Sequence, residues 1–413
     1  MTREEHTQKI IELSEQYKYL LLRLPTSFGK CKVSIELIRK YASSSLFYNL
    51  LIVIPRLVLI DNWKKEIEKW GGLPDNVSVE FTTYISLHKH CDKEWGMIVF
   101  DETHHFTENC LDAMDSFNYD RVICMSATIP REQRYRLREA FLGIKEYSVT
   151  AREAINEEIL PDPKVLFIPL MLDNVHVTQR YVKNKSKPGT PITAYYTQKR
   201  SVMGIKNRPV ILLCTEQDYY NEISIMIDWW KQKYMSSQEV YAKNNWLRLA
   251  KDRLTWLSER KNEFVKDILE QLKDFRVITF CGSIEQTEEL GKYCINSKNK
   301  SAIKYLDMFN DNEINHITAC GMLVEGANLT SCQIGIYANI VSSEIVEIQR
   351  LGRNLRHKNP LIIIPYFVGT REEEIVNKMV RNYNEELTTT AFKSQVNLNL
   401  INRILYGTTE NNN

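Results

Sequence analysis

The sequence lacks both a long hydrophobic run and a closely spaced pair of cysteines. None of its apolar stretches approaches the ~18 residues that a membrane-spanning helix needs. Its nine cysteines include no C-x-x-C pair, and its first residues do not resemble a secretory leader, so we expect free thiols in a reducing compartment. We therefore expect a soluble protein of the cytoplasm, or of the host cytosol and nucleoid if the gene is viral.

A strong overall charge is also missing. The 54 Lys and Arg residues nearly balance the 52 Asp and Glu residues, giving a formal net charge of +2, so any surface that attracts a charged partner must be local. Hydrophobic residues make up 43% and charged residues 26% of the chain, as is typical of a globular protein. A chain of 413 residues is long enough for two or three domains, each with its own core.

Short apolar segments alternate with longer amphipathic segments along most of the chain. This alternation predicts the strands and helices of doubly wound, parallel α/β domains. The first series of apolar segments ends at Pro25, Pro55, Asp101 and Ala127, and the second series begins at Arg276, His316, Ile334 and Leu361. Because the pattern occurs twice, we place one α/β domain at residues 1–155 and another at 266–405, followed by a disordered tail at 406–413.

The region between the two series, residues 156–265, is predicted to be a linker with a basic, partly helical insertion. Its residues 179–208 contain eight Lys or Arg residues and no Asp or Glu, with Tyr181, Tyr195 and Tyr196 among them. Cations interleaved with aromatic rings are suited to a nucleic-acid backbone and its bases. A solvated loop explains the composition equally well. From Thr215 to Leu272 apolar residues recur at helical spacing.

The segment LPTSFGKCK, residues 24–32, follows the first predicted strand and opens a predicted helix. Backbone N–H groups at such a helix start favour a bound phosphate. Gly29 and Lys30 occupy the places of the Gly-Lys pair in G-x-x-x-x-G-K-[ST], where the lysine reaches the β- and γ-phosphates. Leu24 replaces the first glycine of that motif and Cys31 replaces its Ser or Thr. An incidental Gly-Lys pair remains the alternative interpretation.

Two acids follow the apolar segment MIVF directly. Asp101 and Glu102 are therefore expected at the carboxyl end of a buried strand, the edge at which open α/β sheets bind ligands. One carboxylate can hold Mg²⁺ while its neighbour orients and deprotonates an attacking water. The alternative is an acidic strand end that caps the following helix.

Taken together, these segments resemble a superfamily 2 helicase or translocase of the DExH type, over about residues 3–368. DETHH at 101–105 resembles the family's Walker B box, and MSATIP at 125–130 its Ser-Ala-Thr motif. LIVIPRLVLIDNWKKE and TTYISL resemble the segments that touch nucleic acid, while FCGSIEQTEEL, LVEGANL and QRLGRNLR resemble motifs of a second RecA-like domain. The motif style is closest to the restriction-subunit, repair and phage branch-migration DNA helicases.

The helix predicted around QRLGRNLR supports the resemblance on physical grounds. Gln349, Arg353 and Arg356 are spaced i, i+4 and i+7 and therefore share one helix face. Guanidinium groups on one rigid face suit the distributed negative charge of a phosphoryl-transfer transition state. A solvated basic helix face is the alternative.

The resemblance implies two RecA-like domains, with ATP and Mg²⁺ between them, and a role for each matched residue. In the implied ATPase site Glu102, Gln349, Arg353 and Arg356 are catalytic, Asp101 and Glu102 serve the metal, and the nucleotide is held by Pro25, Thr26, Ser27, Phe28, Gly29, Lys30, Cys31, Gln8, Gly326 and Arg350. The implied nucleic-acid contacts are Pro55, Arg56, Thr82, Thr83, Gly282, Ser283 and Asn328. The residues implied to couple the two sites are His104, Ser126, Ala127 and Thr128.

The implied activity is an ATP-dependent helicase or translocase that moves on or remodels DNA, with duplex, forked or branched DNA favoured over RNA. An RNA helicase and a nucleic-acid clamp that binds ATP with little hydrolysis are the alternatives.

Cys31 is a poorer Mg²⁺ ligand than a hydroxyl, since sulfur is soft and Mg²⁺ is hard, so we expect a working but slowed ATPase. Its place at a helix start beside two lysines also predicts a lowered thiol pKa.

Overall fold

A computed structural model of the protein describes residues 1–183, 209–321, 329, 332–354 and 356–407. Gly326, Asn328 and most of the basic segment 179–208 lie outside these residues, as does the side chain of Gln349, whose backbone is described. Within the described ranges every helix is too short or too polar to span a bilayer.

The first domain is built on a sheet of six parallel strands in the order β3-β2-β4-β5-β1-β6. Its elements are α1 (Arg3–Gln16), β1 (Tyr19–Arg23), α2 (Lys30–Ala42), β2 (Tyr48–Ile54), α3 (Leu59–Lys69), β3 (Val77–Thr83), β4 (Glu94–Asp101), α4 (Glu108–Met114), β5 (Asn118–Ser126), α5 (Arg131–Ala140), β6 (Lys145–Ser148) and α6 (Ala151–Asn156).

Both faces of this sheet are buried, which explains why its strands read as continuous apolar runs. Along β2, Leu50 and Ile52 pack into one hydrophobic cluster while Leu51 and Val53 pack into another on the opposite face. The prediction of a doubly wound α/β domain is therefore confirmed. Because all strands run in one direction, their carboxyl ends form a single edge, and the ends of β1, β4 and β5 lie level there.

The second domain contains a sheet of seven parallel strands in the order β11-β12-β10-β13-β14-β7-β15. Its elements are β7 (Lys164–Leu170), α9 (Asn262–Gln271), β10 (Val277–Phe280), α10 (Ile284–Leu290), β11 (Cys294–Ile295), α11 (Ala302–Asn310), β12 (His316–Ala319), β13 (Ile334–Ile336), α12 (Glu344–Asn354), β14 (Leu361–Phe367), α13 (Arg371–Met379), β15 (Thr388–Thr390) and α14 (Leu398–Tyr406).

The strand β7 falls inside the range that the sequence assigned to the linker. It nevertheless pairs with β14 along its whole length, from Lys164 opposite Leu361 to Leu170 opposite Phe367. The second sheet thus begins about a hundred residues earlier than expected, and the insertion leaves it from the carboxyl end of β7. The apolar sequence of β7 fits either domain, so its membership is decided by tertiary pairing.

The described part of the insertion is a strand pair followed by a helical hairpin. The strands β8 (Thr178–Lys183) and β9 (Pro209–Cys214) are antiparallel. The helices α7 (Glu216–Ser237) and α8 (Val240–Glu259) reverse direction at Gln238, which has a φ of 54°. Trp230 is 8% exposed and belongs to the hairpin's own core.

Candidate active site between the two domains

The loop between β1 and α2 has the backbone of an anion-binding turn. Gly29 precedes the first residue of α2 with a φ of 104°, and Ser27 has a φ of 70°. Phe28 anchors the loop with a fully buried ring. The hydroxyl of Thr26 and Nε of Arg3 are buried without a hydrogen-bond partner among the described residues, and both residues line the adjoining cleft. Unsatisfied donors beside a helix N-terminus fit a bound phosphate.

Asp101 and Glu102 lie at the carboxyl end of β4, on the same sheet edge as the loop. Glu102 adopts a left-handed backbone conformation, with a φ of 51° and a ψ of 56°, which is uncommon outside glycine and clusters at functional sites. Its Oε1 lies 3.3 Å from Nζ of Lys30. The predicted meeting of the lysine and the two acids at this edge is thus seen in the structure.

The two carboxylates have opposite electrostatic surroundings. Burial, followed by the negative charge of Glu102, raises the pKa of Asp101 to about 6. Burial also acts to raise the pKa of Glu102, but the positive charges of Lys30 and His104 outweigh it and leave that pKa below its ordinary value. The first proton taken up by the pair therefore resides on Asp101, and Glu102 stays ionised as a base must.

Arg353 and Arg356, on and just after α12, face the first domain's loop across the cleft. Nε of Arg356 donates to the Ser27 hydroxyl at 3.2 Å, and that hydroxyl donates to the main-chain oxygen of Gly352 at 2.6 Å. Burial, followed by the charge of Arg356, lowers the pKa of Arg353, but guanidinium starts above about 12 and stays charged at neutral pH. The charge of Arg353 reaches Glu102 across the domain boundary.

A cleft of about 490 Å³ collects these groups from both domains. Of the predicted site residues it is lined by Thr26, Ser27, Gly29, Lys30, Cys31, Asp101, Glu102, Arg353 and Arg356. The described residues of the Gly-Lys loop, the acid pair and the arginine helix therefore share one site, as the order of the sequence motifs predicted.

The Ser-Ala-Thr segment reaches this site through hydrogen bonds. Nδ1 of His104 lies 3.0 Å from the Ser126 hydroxyl, which donates to the main-chain oxygen of Thr128 at 2.7 Å. The same hydroxyl lies 3.4 Å from Oε2 of Glu102. Ala127 lies between these residues on the partly exposed turn that follows β5.

Two predicted nucleotide contacts lie elsewhere. Gln8 is exposed on α1 and donates to Glu12 at 3.2 Å, because the buried face of this helix carries His6, Thr7 and Ile10.

Arg350 is 4% exposed, donates to the main-chain oxygen of Asn339 and packs on the ring of Phe280. It therefore stabilises the second domain's interior, and neither Gln8 nor Arg350 is among the residues that line the cleft. Pro25 and Phe28 are buried supports of the loop.

The predicted nucleic-acid contacts differ in exposure. Arg56 is exposed after Pro55, while Thr83 is partly exposed and Thr82 is buried at the end of β3. In the second domain the Ser283 hydroxyl accepts the Gln286 N–H as the N-cap of α10, and Gly282 lies just before it. Their contact with nucleic acid stays a prediction.

The sequence reasoning missed one wall of the cleft. This wall is the face of α3 together with the residue that follows it, and its polar and aromatic side chains are Asn62, Trp63, Glu66, Lys69 and Trp70. Nε1 of Trp63 donates to Oδ2 of Asp101 at 3.0 Å. The signal in the sequence was a tryptophan among polar residues, in the stretch DNWKKE at 61–66, and the structure buries it to 2% exposure.

The prediction of an activated thiol at Cys31 is wrong. Burial, followed by the nearby charges of Asp101 and Glu66, raises the pKa of this thiol well above its ordinary value. The acids at the strand end thus outweigh Lys30 and the helix N-terminus. Cys31 is a neutral thiol at physiological pH.

Comparisons with known proteins find helicases and translocases among the relatives of this chain. Residues 2–131 match the family model described as "Type III restriction enzyme, res subunit". The DNA 3'-5' translocase XPB2 of Sulfurisphaera tokodaii is 23% identical over 362 residues, which cover 82% of this chain and 75% of that protein. The chain therefore resembles superfamily 2 helicases of the restriction-subunit and repair type.

Solved helicase structures share its fold. The Pyrococcus furiosus Hef helicase domain matches with a TM-score of 0.52 and 14% identity, covering 91% of this chain and 97% of that one. The S. cerevisiae protein Dbp5, bound to RNA and ADP BeF3, matches with a TM-score of 0.57 and 8% identity, covering 94% and 89%. At such identities the likeness concerns the fold alone, and the prediction of two RecA-like domains is confirmed.

Proposed function

We propose that this chain is a helicase or translocase that hydrolyses ATP in the cleft between its RecA-like domains and uses the resulting domain movements to translocate on or remodel DNA. The observation that carries the proposal is the convergence of Lys30, Asp101 and Glu102 from one domain with Arg353 and Arg356 from the other on a single cleft. Groups of this kind stabilise a phosphoryl-transfer transition state by position and charge.

Each residue has a distinct role in the proposal. Lys30 and the loop's N–H groups bind the β- and γ-phosphates, and Glu102 accepts a proton from the attacking water. Arg353 and Arg356 neutralise charge that develops on the transferred phosphoryl group, with Gln349 on the same helix helping to orient the water. Because the arginines belong to the second domain, hydrolysis requires the domains to meet.

The donor set at the strand end fits Mg²⁺. Asp101 offers hard carboxylate oxygens, and Trp63 and the Glu102 N–H orient them with hydrogen bonds of 3.0 Å each. Mg²⁺ bound by Asp101 and the nucleotide would supply charge neutralisation between the β- and γ-phosphates. The soft sulfur of Cys31 contributes little to this ion.

DNA is favoured as the nucleic acid on which the protein moves, because the relative XPB2 is a DNA translocase and matches most of this chain. The basic segment 179–208 is proposed to make a second contact with the nucleic-acid strand. The fold alone does not separate DNA from RNA, since Dbp5 shares it.

One assay tests the proposal. ATP hydrolysis is measured with single-stranded DNA, duplex DNA, forked DNA and RNA side by side, with Glu102→Gln as the inactive control. We expect DNA to stimulate hydrolysis more than RNA does. Stimulation by RNA alone would replace DNA with RNA as the track, and ATP binding with no stimulated hydrolysis would favour the clamp.

A further inference from the structure

Asp101 is held by two aromatic side chains that come from different segments of the first domain. Nε1 of Trp63, on α3, donates to carboxylate oxygen Oδ2 at 3.0 Å. The hydroxyl of Tyr84, just after β3, donates to the main-chain oxygen of Asp101 at 2.7 Å. Neither residue belongs to the phosphate loop, the acid pair or the arginine helix.

Both segments begin at residues proposed to contact nucleic acid. The Leu59 N–H that opens α3 donates to the main-chain oxygen of the exposed Arg56 at 3.0 Å, and Trp63 follows one helical turn later. Tyr84 follows Thr83 directly and opens the 3-10 turn Tyr84–His90. Each path from the candidate strand contact to Asp101 is therefore short and follows one continuous stretch of chain.

The side chains of Trp63 and Tyr84 are closely packed. Trp63 is 2% and Tyr84 is 8% exposed, and the ring of Tyr84 lies against Phe100 and His105, at centroid distances of 6.0 and 5.9 Å. Close-packed side chains transmit a displacement because they have no free volume to absorb it. A shift of either segment therefore has to move Asp101 or break its hydrogen bond.

We propose that Trp63 and Tyr84 are positioning residues that couple the two strand-contacting segments to Asp101, so that binding of a nucleic-acid backbone sets the position of this carboxylate. The inference rests on the proposed function, since it requires that the segments around Arg56 and Thr83 contact the strand. It adds a route separate from the Ser126 and His104 hydrogen bonds.

Thermodynamic coupling between two sites is reciprocal, which provides a readout that does not depend on turnover. The affinity of a fluorescent single-stranded oligonucleotide is measured with and without a non-hydrolysable ATP analogue and Mg²⁺. The ratio of the two dissociation constants is the coupling factor. It is determined for the wild type, Trp63→Phe, Tyr84→Phe and the double variant, each checked for folding by its thermal transition.

Two control variants remove the same atoms elsewhere in the domain, in one case a hydrogen-bonded indole N–H and in the other a buried hydroxyl without a partner among the described residues. Trp95→Phe deletes a buried indole whose N–H donates to the main-chain oxygen of His90 at 2.9 Å. Tyr48→Phe deletes a buried hydroxyl at the opposite end of β2 from the cleft. If loss of a buried polar group merely loosened the domain, these variants would change the coupling factor as well.

We expect Tyr84→Phe to bring the coupling factor about threefold closer to one, and Trp63→Phe to bring it about tenfold closer. The effect of Trp63→Phe is larger because the indole N–H of Trp63 donates to a charged carboxylate, whereas the Tyr84 hydroxyl donates to a neutral main-chain oxygen. The controls keep the wild-type factor. ATPase stimulation by the oligonucleotide should fall in parallel. Tyr84→Phe loses only one hydroxyl, so the test stands even if Trp63→Phe fails to fold.

Wild-type coupling in both Tyr84→Phe and folded Trp63→Phe would overturn the inference while leaving the helicase assignment intact. Equal losses in the two controls would overturn it too, since the effect would then be general loosening. A wild type that shows no coupling with any DNA or RNA oligonucleotide would instead contradict the proposed function itself.

Discussion

Two lysine–glutamate pairs in this molecule, one buried and one partly exposed, show how the same chemistry serves different purposes. Lys261 and Glu372, at the base of the helical insertion, are 0% exposed and 2.7 Å apart. Lys261 also donates to the main-chain oxygen of Pro365, and Glu372 accepts the Phe367 N–H. Lys30 and Glu102 are 3.3 Å apart with side chains 11% and 18% exposed, and they face an open cleft.

The difference lies in what each pair leaves unsatisfied. The Lys261–Glu372 pair is closed off from solvent and held by main-chain partners, so it fixes the insertion to the second sheet. The Lys30–Glu102 pair lies beside buried donors without described partners and opposite two guanidinium groups. The polar groups beside the Lys30–Glu102 pair still lack hydrogen-bond partners and can therefore bind an anion. The Lys261–Glu372 pair already has its partners within the protein, so it can only stabilise the fold.

The largest effect should come from the open pair. Glu102→Gln keeps the shape of the side chain but removes the base, so we expect stimulated ATP hydrolysis to fall by about a thousandfold. Nucleotide binding and the thermal transition should change little, as calorimetry and a melting curve would show. A variant that retains a tenth of wild-type turnover would exclude Glu102 as the base.

The closed pair should show the opposite behaviour. Glu372→Gln leaves the Lys261 charge buried without a compensating charge, so we expect the free energy of unfolding to fall by about 3–5 kcal/mol. Turnover of the folded fraction at low temperature should stay near the wild-type value. Urea titration and ATPase assays on one preparation would check both, and unchanged stability would contradict the structural role.

The pKa of Asp101 provides a smaller and graded test. Since this pKa is raised to about 6, the carboxylate gains a proton as the pH falls through that value, well before an ordinary aspartate. The affinity for Mg²⁺ with ADP should therefore weaken between about pH 7 and pH 5. Affinity that stays constant down to pH 5 would show that Asp101 does not hold the ion.

The smallest effect is expected at Cys31. Cys31→Thr restores a hard oxygen beside the acid pair, so turnover at limiting Mg²⁺ should rise by roughly a factor of two to five. Cys31→Ser should behave similarly, whereas Cys31→Ala should not. Equal or lower turnover in Cys31→Thr would mean that the thiol does not limit metal use.

Residues that share a strand end or a helix face could be predicted from the sequence. Lys30 and Glu102 follow strands of one parallel sheet, which brings them to one edge. The predicted helix face is only partly correct, because α12 ends at Asn354 and Arg356 reaches the cleft from the turn that follows it. Trp63 and the pairing of β7 could not be predicted in this way, because both depend on contacts between distant parts of the chain. Gln8 lies outside the lining of the cleft because it is on the exposed face of α1.

The central claim is that both domains hold one triphosphate, and a double-mutant cycle measures this most directly. Affinity for ADP with aluminium fluoride, an analogue of the transferred phosphoryl group, is determined for Lys30→Ala, Arg353→Ala and the double variant. We predict a large loss in each single variant and a double loss clearly smaller than their sum, because the two groups act on the same anion. Full affinity in Arg353→Ala, or strictly additive losses, would contradict a shared site.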